Sequence, residues 1–131
     1  MIAFDTNLLV RAATNDDPAQ VAIVRQLLAL NAVFIPRTVL METEWVLRKS
    51  YRKTREQINQ FFVELLDTEN AVIEDHETVA SALQWYRLGA DFADALHLAA
   101  CGKTTLCTFD QEFCKAARAL GIAPEIRLLK A

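Results

Sequence analysis

The chain has 131 residues, 53 % of them hydrophobic, with 14 basic and 17 acidic side chains and a formal net charge of −3. This length predicts a single domain over residues 1–131, and the apolar content excludes a disordered protein. The charge excludes a surface that is basic throughout, and no apolar run reaches the ~18–20 residues that span a bilayer.

The chain enters an apolar run at Ile2 without a basic leader, so a cytoplasmic protein with no membrane contact is expected. Ile2 to Phe4 reads as a first strand, followed by a helix through Leu8, Leu9 and Ala12. Asn15-Asp16-Asp17-Pro18 is a strong helix start, with an acidic cap and proline in the first turn. Val21, Val24, Leu27 and Leu28 give that helix one apolar face. Val33-Phe34-Ile35 is a short strand stopped by Pro36, and Thr38 is placed to cap the next helix, which runs to about Lys49. Thr54 and Gln57 form a capping-box pattern, with Ile58, Phe61, Phe62 and Leu65 inward.

Ala71 to Ile73 is a third strand, and Asp75 opens a helix through Val79, Leu83 and Tyr86 that Gly89 closes. Asp91 opens the following helix, Thr105 to Phe109 is a fourth strand, and Asp110 caps a helix ending before Gly121. Glu125 to Leu129 reads as a last, edge-like strand. Strands alternating with helices predict an α/β fold: a three-layer α/β/α domain with a mostly parallel central sheet of four to five short strands.

The cysteines Cys101, Cys107 and Cys114 are odd in number, which points to reduced thiols packed as small core residues. His97 and Cys101 share helical spacing, but no Cys-x-x-Cys pair exists to support a zinc site.

Four carboxylates carry the chemical signal. Asp5 and Asp110 each follow a strand, in Phe4-Asp5-Thr6-Asn7 and Thr108-Phe109-Asp110. A parallel sheet binds its ligands beyond the carboxyl ends of its strands. Either acid also suits a helix cap, and so does Asn7. Glu42 has Val39 and Val46 as helical neighbours, which places it on an apolar stripe, whereas Glu44 has Arg48 four residues on and reads as an exposed pair. Asp94 lies against Ala95-Leu96-His97-Leu98, with Asp91 as a competing candidate at the helix start. Ionised carboxylates crowded together persist only with a cation or with raised pKa values, and all-oxygen ligands select Mg²⁺ or Mn²⁺.

These segments, with Val39-Leu40-Met41-Glu42 and Ala90-Asp91-Phe92-Ala93-Asp94-Ala95-Leu96-His97-Leu98-Ala99, resemble the PIN-domain ribonucleases, and specifically the VapC toxins of toxin–antitoxin pairs. The resemblance runs over essentially the whole chain. It implies Asp5 and Asp94 as the metal-holding acids, with Glu42 and Asp110 completing the catalytic set. Thr6, Asn7, Thr108 and Asp91 would support them. It also implies metal-assisted hydrolysis of RNA to 5′-phosphate and 3′-hydroxyl ends, a homodimer, and a VapB-type antitoxin that occludes the site.

An acidic protein needs local cations to hold RNA. Arg48, Lys49, Arg52 and Lys53 cluster at the end of the helix that carries Glu42, and Arg11 lies four residues beyond Asn7. Solvation of a helix end is the competing account of that cluster. Two further functional readings are a non-cleaving PIN module acting with its antitoxin on operator DNA and a housekeeping RNA-processing nuclease. A phosphoryl-transfer domain with Asp5 as nucleophile is disfavoured, because Asp5-Thr6-Asn7 lacks a second acid. With His76 and His97 the only histidines and no triad context, covalent catalysis is disfavoured as well.

Overall fold

In the computed structural model, which describes residues 1–121 and 125–131, the chain divides into two compact units, Met1–His76 and Glu77–Ala131. Among the described residues, every strand pairing in either unit is parallel, as the alternation of strands and helices predicts.

The first unit is built on a three-stranded sheet in the order β1 (Ile2–Ala3), β2 (Val33–Ile35), β3 (Ala71–Ile73), with Ile2 opposite Val33 and Val33 opposite Ala71. Parallel neighbours need long crossovers, and here each crossover is a pair of helices. The first pair is α1 (Thr6–Thr14) and α2 (Pro18–Leu30); the second is α3 (Arg37–Lys49) and α4 (Arg55–Leu66). Val33 and Ile35 are fully buried, and Leu9, Leu40, Leu47, Ile58 and Phe62 pack with almost no exposure.

Local chemistry sets most of these boundaries. Asp5 caps α1, and Asn15 ends it in the left-handed conformation that Asn tolerates. Asp17 caps α2, with Pro18 at its first position. The Thr54–Gln57 capping box forms in full: Gln57 N–H donates to the Thr54 hydroxyl at 3.1 Å, and Thr54 N–H donates to Gln57 Oε1 at 2.9 Å.

Helix α3 departs from expectation. Thr38 does not cap it, because the helix starts one residue earlier at Arg37, behind Pro36, which offers no side-chain acceptor. The acceptor comes from a distant carboxylate: Arg37 N–H donates to Glu74 Oε1 at 2.8 Å. The Arg37 guanidinium also pairs with Glu74 at 3.5 Å and Asp75 at 3.1 Å, clamping the start of α3 to the end of β3.

The second unit holds α5 (His76–Arg87) apart from its first residue, α6 (Phe92–Cys101), β4 (Leu106–Thr108), α7 (Gln111–Ala119) and β5 (Ile126–Leu128). The two strands run parallel, with Leu106 opposite Ile126. The corner between α5 and α6 turns at Gly89, whose φ of +119° suits glycine alone. Tyr86 and Phe92 close it edge to face, with ring centroids 5.4 Å apart. That corner fixes where Asp91 and Asp94 begin α6.

All three cysteines are free, but only Cys114 is a core residue; Cys101 is half-buried and Cys107 is exposed on β4. Strand alternation explains Cys107, since its neighbours Leu106 and Thr108 take the more buried face. Among the described residues, no helix is long and apolar enough to cross a membrane.

Candidate active site

In the first unit, Asp5 stands at the junction of β1 and α1. Its Oδ1 accepts the Asn7 N–H at 3.1 Å, which leaves its other oxygen for solvent or a ligand. Thr6, itself buried, donates its hydroxyl to Glu42 Oε1. This bond ties the start of α1 to α3, so Asp5, Thr6, Asn7 and Glu42 form one connected group.

Glu42 is nonetheless exposed, not part of an apolar stripe. The inner face of α3 is Leu40, Thr43, Glu44 and Leu47, and Val39 and Val46 flank it half-buried. The expectation for Glu44 is reversed too: only 4 % of it is exposed. Arg48 Nε donates to its Oε2 at 2.9 Å and supplies the compensation a buried acid requires. Thr43, also on the inner face, satisfies its hydroxyl by donating back to the Val39 carbonyl at 2.7 Å.

In the second unit, Asp91, Asp94 and Asp110 line one cavity of about 200 Å³, walled by Leu98, Phe113 and Ala117. Asp91 caps α6, accepting the Asp94 N–H at 3.1 Å, and Asp110 caps α7, accepting the Phe113 N–H at 3.0 Å. The Thr108 hydroxyl accepts the Asp110 N–H at 3.0 Å and so fixes the turn out of β4. Partial burial holds the Asp94 carboxyl above its ordinary pKa; the charges of Asp91 and Asp110 push the same way, and His97 opposes them. Glu112 lines this cavity as well and was not anticipated. Its signal was available, because it sits in the first turn of α7 two residues beyond Asp110.

Within neither unit, among the described residues, do three His, Cys, Asp or Glu side chains converge as a ready-made metal cage. Mg²⁺ does not require one, since it is commonly held by one or two carboxylates and keeps several waters. The mutual repulsion around Asp94 and the all-oxygen donor set fit a hard divalent cation in charge and chemistry.

The basic candidates divide into two kinds. Arg11 is engaged locally: Nε donates to Gln20 Oε1 at 2.7 Å, and Nη1 reaches Asp16 at 3.0 Å and the Tyr51 hydroxyl at 3.2 Å. Tyr51 and Asp16 raise its already high pKa. Arg48 is paired with Glu44. Lys49, Arg52 and Lys53 make no ion pair among the described residues, and Arg52 projects from a left-handed backbone with φ +52°.

A search of curated proteins finds no match. The model of the PIN domain family matches residues 2–119, a span that includes every acid described above. Members of that family are generally nucleases that use divalent metals. With parallel strands joined by helices and acids at the ends of β1 and β4, the chain belongs to the PIN domain family.

Proposed function

We propose that the protein is a metal-dependent endoribonuclease of the VapC type, working as a homodimer and inhibited by a VapB-type antitoxin. The observation that carries the nuclease reading is the cavity of the second unit, where partial burial, reinforced by the charges of Asp91 and Asp110, makes ionisation of Asp94 costly. The order and spacing of the Asp5, Glu42, Asp94 and Asp110 segments support the VapC assignment.

In this mechanism Asp5 and Asp94 would each contribute a carboxylate toward Mg²⁺ or Mn²⁺. The ion, when bound, supplies Lewis-acid activation of water and neutralises charge at the phosphate. Glu42 and Asp110 orient water by accepting its protons. The Thr6 hydroxyl holds the Glu42 carboxylate in one rotamer, so the acceptor is already placed when substrate arrives. Asn7 secures Asp5 through its backbone N–H. Water adds to phosphorus as the bond to the 3′ oxygen breaks, leaving a 5′-phosphate and a 3′-hydroxyl. Lys49, Arg52 and Lys53 supply the main phosphate contacts, with Arg11 and Arg48, each already paired to a carboxylate, as secondary ones.

The test incubates antitoxin-free protein with total cellular RNA and Mg²⁺ or Mn²⁺, alongside EDTA and Asp5→Asn controls. Discrete fragments are expected from the wild type. Either control should reduce cleavage at least a hundredfold, with unchanged circular dichroism for the variant. Intact RNA from folded, metal-supplied wild type would replace this reading with a non-cleaving nucleic-acid module.

A further inference from the structure

We infer that the cleft between α1 and α2 is a nucleobase subsite serving Asp5; the inference rests on the nuclease reading above. Leu8, Ile23 and Val24 wall the cleft, Asn7, Arg11 and Gln20 form its polar rim, and its volume is about 280 Å³. Ligand cavities for drug-sized molecules run from roughly 300 to 1,000 Å³, so this one suits a single flat heterocycle better than a helix or strand.

Three features point to a base as the occupant. First, the cleft adjoins the candidate site: Asn7 lines it and also donates its backbone N–H to the Asp5 carboxylate at 3.1 Å. A nucleotide whose phosphate is held by a cation at Asp5 has the cleft as the adjoining apolar surface for its base. Second, the walls are aliphatic, and Ile23 is 58 % exposed at the mouth whereas Val24 is buried behind it. Unstacked bases of single-stranded RNA are gripped by such apolar surfaces. Third, the rim reads both donors and acceptors. The Asn7 side-chain amide makes no hydrogen bond among the described residues, so it offers one of each. Gln20 has its oxygen committed to Arg11 Nε at 2.7 Å, which leaves its NH₂ as the group that can donate. Arg11 is itself anchored to Asp16 and Tyr51, so the rim is fixed before any ligand arrives.

The experiment has two independent arms. A pool of randomised oligoribonucleotides is cut by wild type and by Ile23→Trp, which fills the cleft from an exposed position, and by Gln20→Leu, which alters only the rim. A base preference next to the scissile phosphate is expected in wild type, reduced about tenfold in both variants, as expected for loss of one base contact. In the second arm, Asp5→Asn protein is titrated with the four ribonucleoside 5′-monophosphates while the methyl resonances of Leu8, Ile23 and Val24 are followed. Those resonances should move, most strongly for the preferred base.

Cleavage by both variants with an unchanged preference overturns the subsite, as do methyl groups silent to all four nucleotides. A change of oligomeric state in Ile23→Trp with the preference retained also overturns it and assigns the cleft to a second copy of the chain. Wild type that cuts no RNA while the methyl resonances of Asp5→Asn respond keeps the subsite and removes only the nuclease reading.

Discussion

Asp94 carries opposing electrostatic loads: the first turn of α6 favours its charge, while partial burial and two neighbouring acids oppose it. Opposition wins, so the folded protein binds a proton at Asp94 more tightly than the unfolded chain does. The penalty is absent below the ordinary carboxylate pKa and complete once pH exceeds the raised, folded value; stability contributed by this group falls as pH rises through that window. Asp94→Asn in metal-free protein should therefore raise Tm at pH 7 by about 1–2 °C, the small size reflecting solvent screening at a half-exposed site. The gain should vanish near pH 3. Added Mg²⁺ should stabilise wild type more than the variant, and scanning fluorimetry at both pH values with and without Mg²⁺ checks all three outcomes. Residue-scale reading of the sequence worked where local hydrogen bonding decides, as at the caps Asp5, Asp17, Thr54, Asp91 and Asp110. It failed for Glu42 and Glu44, because apolar neighbours on both sides of α3 left the phase of the helix ambiguous. Leu40 and Leu47 settle that phase only once they are packed.

Helix α3 shows what a one-dimensional reading of an element leaves out. Its start lacks a local cap, and its first N–H is satisfied by Glu74, which follows β3 on the far side of α4. A capping acceptor is worth about 1 kcal/mol whether it comes from near or far in sequence. Glu74→Ala should accordingly lower the unfolding free energy by about 1–2 kcal/mol, since the Arg37 contact at 3.5 Å is lost as well. Urea denaturation monitored by circular dichroism reads this directly, and Thr38→Ala, which removes the apparent but unused cap, should change it by less than about 0.5 kcal/mol. Strands were legible as elements because Pro36 and the polar turns bound them. Their parallel pairing followed from the helices between them.

For the molecule as a whole, the balance of −3 conceals an uneven distribution. Lys49, Arg52 and Lys53 follow one another at the end of α3, while the cavity of the second unit is lined by Asp91, Asp94, Asp110 and Glu112. If the three cations each neutralise a phosphate, replacing all three by Gln should weaken RNA binding at low salt by at least tenfold. The log–log salt slope should fall by about two to three. Fluorescence anisotropy with Asp5→Asn protein and a short RNA, from 50 to 300 mM salt, measures both quantities without cleavage. The sequence showed the cluster but not which members were already engaged; the commitments of Arg11 and Arg48 depend on Tyr51 and on the burial of Glu44.

The shortness of β1 has a consequence for how the protein comes into being. Two residues, Ile2 and Ala3, pair only with β2, through partners about thirty residues further along the chain. Asp5 lies two residues beyond Ala3, so it gains a fixed address only when that distant loop closes. A ribosome that has released the first helix has not yet released a competent acid. The first strand gains its register only once Val33 to Ile35 emerge, and Glu42, Asp94 and Asp110 of the proposed site follow later still.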